Sequence, residues 1–168
     1  ERIQSRPVDG SLPGSAPVIH HPDVRRMLMT MRASTEGCRA MAITAAAAYD
    51  ASHHHPDAEV RRENQAYYEF LVPLVKGFST EMSIEVASLG VQVHGGMGFI
   101  EETGAAQYLR DARILTIYEG TTAIQANDFV GRKTARDGGQ VARAVAAQIE
   151  ATEAALKKRD SAACRAMA

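Results

Sequence analysis

Residues 21–50 read HPDVRRMLMTMRASTEGCRAMAITAAAAYD, and this stretch decides the fold class. Val24, Met27, Leu28, Met31, Cys38, Met41, Ala42 and Ala45 recur at three- and four-residue steps. That spacing lays one apolar stripe along a long helix. Pro22 suits the first helical turn, where a missing N–H has no partner to lose. Gly37 weakens the helix slightly or lets a neighbouring backbone approach.

The same period continues downstream. A turn is predicted over residues 51–56, with His53, His54 and His55 at its tip. A second helix starts near Pro56 and Asp57 and carries Val60, Tyr67, Phe70, Leu71, Leu74, Val75 and Phe78. Pro73 interrupts that stripe and predicts a kink or a break. A third helix covers residues 79–94, with Met82, Val86, Leu89 and Val93 in step, and ends at Gly95-Gly96-Met97-Gly98. Shorter pieces fill residues 99–120, and a further helix runs from near Thr121 towards Arg136. After the break at Asp137-Gly138-Gly139, Val141, Val145, Ile149 and Leu156 mark a last helix. Upstream, Pro7, Gly10, Pro13, Gly14 and Pro17 make residues 1–20 irregular. With no alternating strand of five or more residues, the expected class is all-α: an antiparallel four-helix bundle with an extra C-terminal helix. The expected division is an irregular segment 1–20, a bundle 21–136, and a C-terminal helix and tail 137–168.

Composition bounds the function. A length of 168 residues allows one ordinary domain, and 45% hydrophobic with 23% charged residues is globular. Nineteen basic against twenty acidic residues leave a net charge of −1, so no strong field gathers nucleic acid or an anionic membrane. No apolar run approaches the ~20 residues of a membrane span. Cys38 and Cys164 cannot make a disulfide framework, which fits a reducing compartment or indifference to redox. The chain opens at Glu1 rather than Met, with no signal-peptide pattern, so the expectation is a piece of something longer.

Residues 87–131, ASLGVQVHGGMGFIEETGAAQYLRDARILTIYEGTTAIQANDFVG, are unlike generic bundle sequence. The glycines at 95, 96 and 98 either cap a helix or let a backbone approach a ligand. A dinucleotide fingerprint needs a preceding strand and another spacing, so that reading is set aside. Thr121 or Thr122 is a plausible N-cap, leaving N–H groups that suit a polar ligand edge. Glu119 sits on non-helical backbone just before. From the residues alone it reads more readily as a solvated loop acid than as a group reaching into a cleft. Arg110, Asp111 and Arg113 read as a solvated or salt-bridged face. The histidine triplet lacks the spaced partners of a metal site. His94 reads as a packed or hydrogen-bonded histidine, and the methionines as core.

Together, QVHGGMGFIEE and YLRDARILTIYEGTTAIQ closely resemble the C-terminal domain of the acyl-CoA dehydrogenases. The family pattern is Gln-x-x-Gly-Gly-x-Gly, Arg-Asp-x-Arg/Lys-Ile, then Ile-Tyr-Glu-Gly-Thr followed by Ile-Gln. All three blocks are present in order. ERIQSRPVDG and HPDVRRMLMTMRASTEG look like a subgroup of larger members related to the methylmercaptopropionyl-CoA dehydrogenases. The resemblance covers residues 1–135 and implies a C-terminal helical bundle without its N-terminal helical and middle β domains.

The resemblance also implies a reaction and the groups that take part in it. The implied reaction is α,β-dehydrogenation of an acyl-CoA thioester to the trans-2-enoyl-CoA. By the same resemblance Glu119 is the base, FAD takes the β-hydride, and an electron-transfer flavoprotein takes the electrons. The Glu119 N–H and a flavin hydroxyl receive the thioester oxygen, and Tyr118 and Gly120 lie against the substrate. Thr121, Thr122 and Ala123 contact the adenosine side of FAD. Gln92, Val93, His94, Gly95 and Gly96 touch the FAD of an adjoining subunit, and Arg2 and Gln4 resemble an Arg-x-Thr/Gln block that pairs with the pyrophosphate. The implied FAD site is thus shared in a homodimer or homotetramer. Pro22 stands where the family often has a FAD-contacting glutamine, and His94 and Ser5 where phenylalanine is common. No metal, nucleic acid or membrane is expected, and the location expected is the cytoplasm, or the mitochondrial matrix in a eukaryote. The fragment alone is expected to be inactive. A non-catalytic helical oligomerisation or interaction module derived from the same family is the alternative.

Overall fold

A computed structural model describes residues 2–159 and 161–163; Cys164 lies outside the described residues. The described residues are helical apart from loops and one isolated antiparallel bridge, Ile3 to Pro17. The all-α class expected from the periodicity is what forms. The helices are α1 (Pro22–His54), α2 (Ala58–His94), α3 (Gly96–Phe99), α4 (Ala105–Ile114), α5 (Thr122–Asn127) and α6 (Gln140–Lys157).

Three local expectations need correction. α1 runs through His54, so His53 and His54 are helical rather than a turn tip. The added turn is held by its own side chains: the Tyr49 and His53 rings stack at 4.1 Å, and His53 Nδ1 lies 2.9 Å from the Tyr49 carbonyl. The reversal shrinks to residues 55–57, where Asp57 Oδ1 accepts the Glu59 N–H at 2.8 Å and caps α2. Second, α2 does not break at Pro73, and the expected helix over 79–94 is its continuation. Pro73 gives up the bond to the Glu69 carbonyl, a cost of about 3 kcal/mol in isolation. Burial of Phe70, Leu71 and Pro73 side by side offsets it. Third, the helix from Thr122 changes hydrogen-bond period, continuing as a π-helical segment over Asp128–Ala135.

The chain divides into two compact units. One comprises Glu1–Thr44 and Leu74–Gln125. Here Met27, Ala16, Ala105, Ala112 and Thr116 are buried. Helices α1 and α2 approach closely at Gly90, whose position for a Cβ lies 3.7 Å from the Met31 methyl. A cavity of about 750 Å³ lies among Met31, Cys38, Met82, Val86, Tyr108 and Leu115. Cys38 is a free, half-buried thiol.

The second unit comprises Ala45–Pro73 and Ala126–Ala168. Its core is Ala45, Ala48, Phe70 and Leu71, with the Phe70 and Phe129 rings 4.9 Å apart. Tyr49 meets Tyr68 edge-on at 5.2 Å across the reversal. Asp137 starts α6 by accepting the Gly139 and Val141 N–H groups at 2.8 and 3.0 Å. Among the described residues no helix is long and apolar enough to cross a membrane.

Candidate active site

α4 begins after Gly104, which takes φ 81°, and it buries Ala105 and Ala112 seven residues apart on one stripe. It unwinds through bonds from the Ile117 and Tyr118 N–H groups to the Ile114 carbonyl, at 3.0 and 3.3 Å. Thr116 is buried, and its hydroxyl accepts from Arg113 Nη1 at 2.5 Å. The chain then turns back through two left-handed residues, Glu119 at φ 51° and Gly120 at φ 94°. For a non-glycine residue this conformation costs about 1–2 kcal/mol, so the surroundings must hold it. The Thr122 N–H closes the loop on the Thr116 carbonyl at 3.3 Å.

Thr121 proves to be the capping threonine. Its hydroxyl accepts the Ile124 N–H at 3.4 Å and its carbonyl the Gln125 N–H at 3.0 Å. Thr122 turns elsewhere, donating its hydroxyl to Glu81 Oε1 on α2 at 2.5 Å. Glu119, Tyr118, Thr121 and Ala123 are exposed, and Gly120 and Thr122 half-buried, so the block presents its polar edge outward.

The glycine cluster is joined by the N-terminal segment. Gln4 donates its N–H to the Ala16 carbonyl at 3.0 Å, and the Arg2 carbonyl accepts from the Val18 N–H at 2.9 Å. His21 Nε2 lies 2.6 Å from the Gln4 carbonyl. These contacts fold residues 2–18 back and carry the Arg2 guanidinium to the end of α2, where Nη1 donates to the His94 carbonyl at 3.4 Å. Arg2, Gln4, Gln92, Val93 and Gly95 line one cavity of about 420 Å³. Five of the residues singled out in the sequence therefore converge, although 93 positions separate Arg2 from Gly95. His94 faces away: its ring bonds the Gly90 carbonyl at 2.8 Å and lines the larger cavity. Gly96 is exposed, with open space where a Cβ would stand. Among the described residues no hydrogen bond or ion pair links this cluster to the Glu119 loop.

Residues 12–133, which hold both the glycine cluster and the Glu119 loop, match the family described as acyl-CoA dehydrogenase, C-terminal domain. The chain belongs to the acyl-CoA dehydrogenase family. It is 65% identical over 165 residues to a 3-methylmercaptopropionyl-CoA dehydrogenase of Ruegeria pomeroyi, covering 98% of this chain and 28% of that protein. It is 41% identical over 137 residues to a broad-specificity linear acyl-CoA dehydrogenase of Mycobacterium tuberculosis, covering 79% and 22%. A butyryl-CoA dehydrogenase of Syntrophomonas wolfei is 35% identical over 139 residues, covering 83% and 23%. The chain thus spans about a quarter of the length of these relatives.

Within this acyl-CoA dehydrogenase domain, the charged segment after the glycine cluster is mostly the surface face read from the sequence. Arg110 reaches Glu101 at 3.4 Å, and Gln107 bridges to Asp111 at 2.6 Å. Arg113 differs, because it props Thr116 beneath the loop. Two residues escape a reading of the sequence. Lys76 donates to the Leu115 and Tyr118 carbonyls at 2.8 and 3.1 Å, and Glu81 holds Thr122. The signal for Lys76 is a cation set between Val75 and Phe78 on an apolar stripe; Glu81 has none. Among the described residues no group of three or more His, Cys, Asp or Glu is placed to hold a metal.

Proposed function

We propose that this chain is the C-terminal part of a FAD-dependent acyl-CoA dehydrogenase in which Glu119 takes the α-proton of an acyl-CoA thioester, yielding the trans-2-enoyl-CoA. The observation that carries the proposal is Glu119 itself, an exposed carboxylate in the left-handed region on a loop bonded on both sides. Residues kept in such a conformation gather where geometry serves chemistry. A hydrogen beside a thioester is weakly acidic, so its base must be aimed and stripped of water. A substrate laid over the exposed side chain removes that water. The Glu119 N–H receives the thioester oxygen as it gains negative charge. At Gly120, the absence of a Cβ lets the thioester approach the backbone, and Tyr118 flanks it.

The donors around the Arg2 cavity fit the dinucleotide. The guanidinium, laid over Gly95, suits a pyrophosphate, the amides of Gln4 and Gln92 suit hydroxyls, and the open backbone at neighbouring Gly96 admits close approach. Thr121, Thr122 and Ala123 offer a second polar edge. FAD held there would supply the acceptor for the β-hydride, with an electron-transfer flavoprotein as the partner for its electrons. Because the two edges serve flavins of different subunits in the family, the enzyme is a homodimer or homotetramer. Large apolar side chains left exposed, such as Phe99 at 80% and Tyr108 at 74%, suit a chain covered by further polypeptide. A free thiol at Cys38 goes with a cytoplasmic location. 3-Methylmercaptopropionyl-CoA is the substrate to try first, on the 65% identity to its dehydrogenase.

The test is Glu119→Gln in the complete polypeptide. The variant keeps its yellow flavin, and acyl-CoA no longer bleaches it. Bleaching at near wild-type rate rejects Glu119 as the base. Purification of the wild-type protein without flavin supports the interaction module instead.

A further inference from the structure

We infer that Lys76 and Glu81 of α2 are positioning residues that set the aim of Glu119 by fastening its loop on either side. The inference rests on Glu119 being the base. Lys76 Nζ donates to the Leu115 and Tyr118 carbonyls at 2.8 and 3.1 Å, and it stands 5.1 Å from the centre of the Tyr118 ring. One half-buried cation therefore gathers the end of α4 and the residue just before Glu119. Beyond Glu119, Thr122 Oγ1 donates to Glu81 Oε1 at 2.5 Å, and Gln125 Nε2 donates to the Gly120 carbonyl at 3.4 Å. Between the two anchors α2 carries Gly77, where a Cβ would stand 3.3 Å from the Gln125 Cβ. A bare backbone there lets α5 lie close enough for the Glu81 bond.

The three anchored residues span positions 115–122, and the left-handed pair Glu119 and Gly120 lies between the anchors. Left to itself, such a turn relaxes towards right-handed backbone and swings the carboxylate away. Neither anchor touches the carboxylate, so loosening either one misdirects the base without removing it. Misplacement by about 1 Å can slow chemistry by as much as 100-fold while binding survives.

The experiment uses the complete flavin-loaded polypeptide. Lys76→Met keeps the length of the stem and removes the donors. Flavin reduction at saturating acyl-CoA is expected to slow about 10- to 100-fold, with KM within about twofold. The isotope effect on α-deuterated substrate rises as proton removal becomes limiting. Glu81→Ala gives the same pattern more weakly, and Glu81→Gln, which keeps an acceptor oxygen, restores the rate. A merely structural lysine would instead lower flavin content and rate together, with no change in isotope effect. If Lys76→Met fails to retain flavin, the Glu81 pair decides alone. Wild-type rate and isotope effect in Glu81→Ala overturn the inference, as does a loss that Glu81→Gln does not rescue. An active Glu119→Gln removes the base assignment itself, whereas an inactive Glu119→Gln beside wild-type Lys76 and Glu81 variants removes only the clamp.

Discussion

Arg2 lies across the backbone of Gly95 so closely that a Cβ on Gly95 would collide with its Nη1 atom. Gly95 also takes φ 63°, a region that side chains disfavour. The pair thus joins the first described residue to the end of α2 through a position where only glycine fits without strain.

Gly95→Ala is expected to leave the fold standing, because the Arg2 side chain can swing aside. Displacing the guanidinium should weaken FAD binding about tenfold, the scale of one hydrogen bond to a charged group. Flavin fluorescence released on dilution of the complete protein measures it. Unchanged affinity would remove Arg2 from the cofactor contacts.

Gly98→Ala should act on stability instead. A Cβ there would press on the Val91 carbonyl and stand 2.8 Å from the His94 Cβ, and backbone cannot move aside as a long side chain can. The expected loss is about 2 kcal/mol or more. Gly96→Ala, two residues earlier in the same short helix and facing open space, should lie within about 1 kcal/mol of wild type. Denaturant midpoints of the two variants compare them directly.

In the second unit, packing should outweigh charge. Phe70 is 5% exposed and packs on Phe129, so Phe70→Ala should cost about 3–5 kcal/mol. The Lys133–Glu69 pair is closed at 3.0 Å, but the Glu69 side chain is 46% exposed. Lys133→Met should therefore cost less than about 1 kcal/mol. Thermal unfolding of both variants would expose a reversed order.

The start of α6 should titrate. Bonds from the Val141 and Gly139 N–H groups hold the Asp137 carboxyl below its ordinary value of 3.8. A depressed folded value means that the unfolded chain takes up the proton first. The cap is thus fully effective above about pH 4, and its contribution disappears as pH falls through the folded value. Asp137→Asn keeps one acceptor and should abolish this acid-side fraying while weakening the cap at neutral pH. Amide exchange at Val141, followed from pH 6 to pH 3, reads both effects.

How much is legible in the sequence differs from element to element. The stripe from Val24 to Ala45, the capping threonine after Glu119 and the glycine stop at Gly95 all depend on neighbours within four residues, and these can be read directly. Pro73 misleads because its local cost is real, and only the burial of Phe70 and Leu71 beside it shows what offsets it. The extra turn of α1 escapes because Tyr49 stacking on His53 outweighs the turn-like look of three histidines.

Helix periodicity, the order of the three motif blocks and the family they mark are properties of the linear chain, since each rests on residues close together along it. The convergence of Arg2 on Gly95, the grip of Lys76 and Glu81 on the loop, and the left-handed backbone of Glu119 belong to the tertiary structure. The first two pair groups across 39 to 93 positions, where no local period carries a signal. The third is a strained local state that the residue types around Glu119 do not announce and that a fixed surrounding structure has to hold.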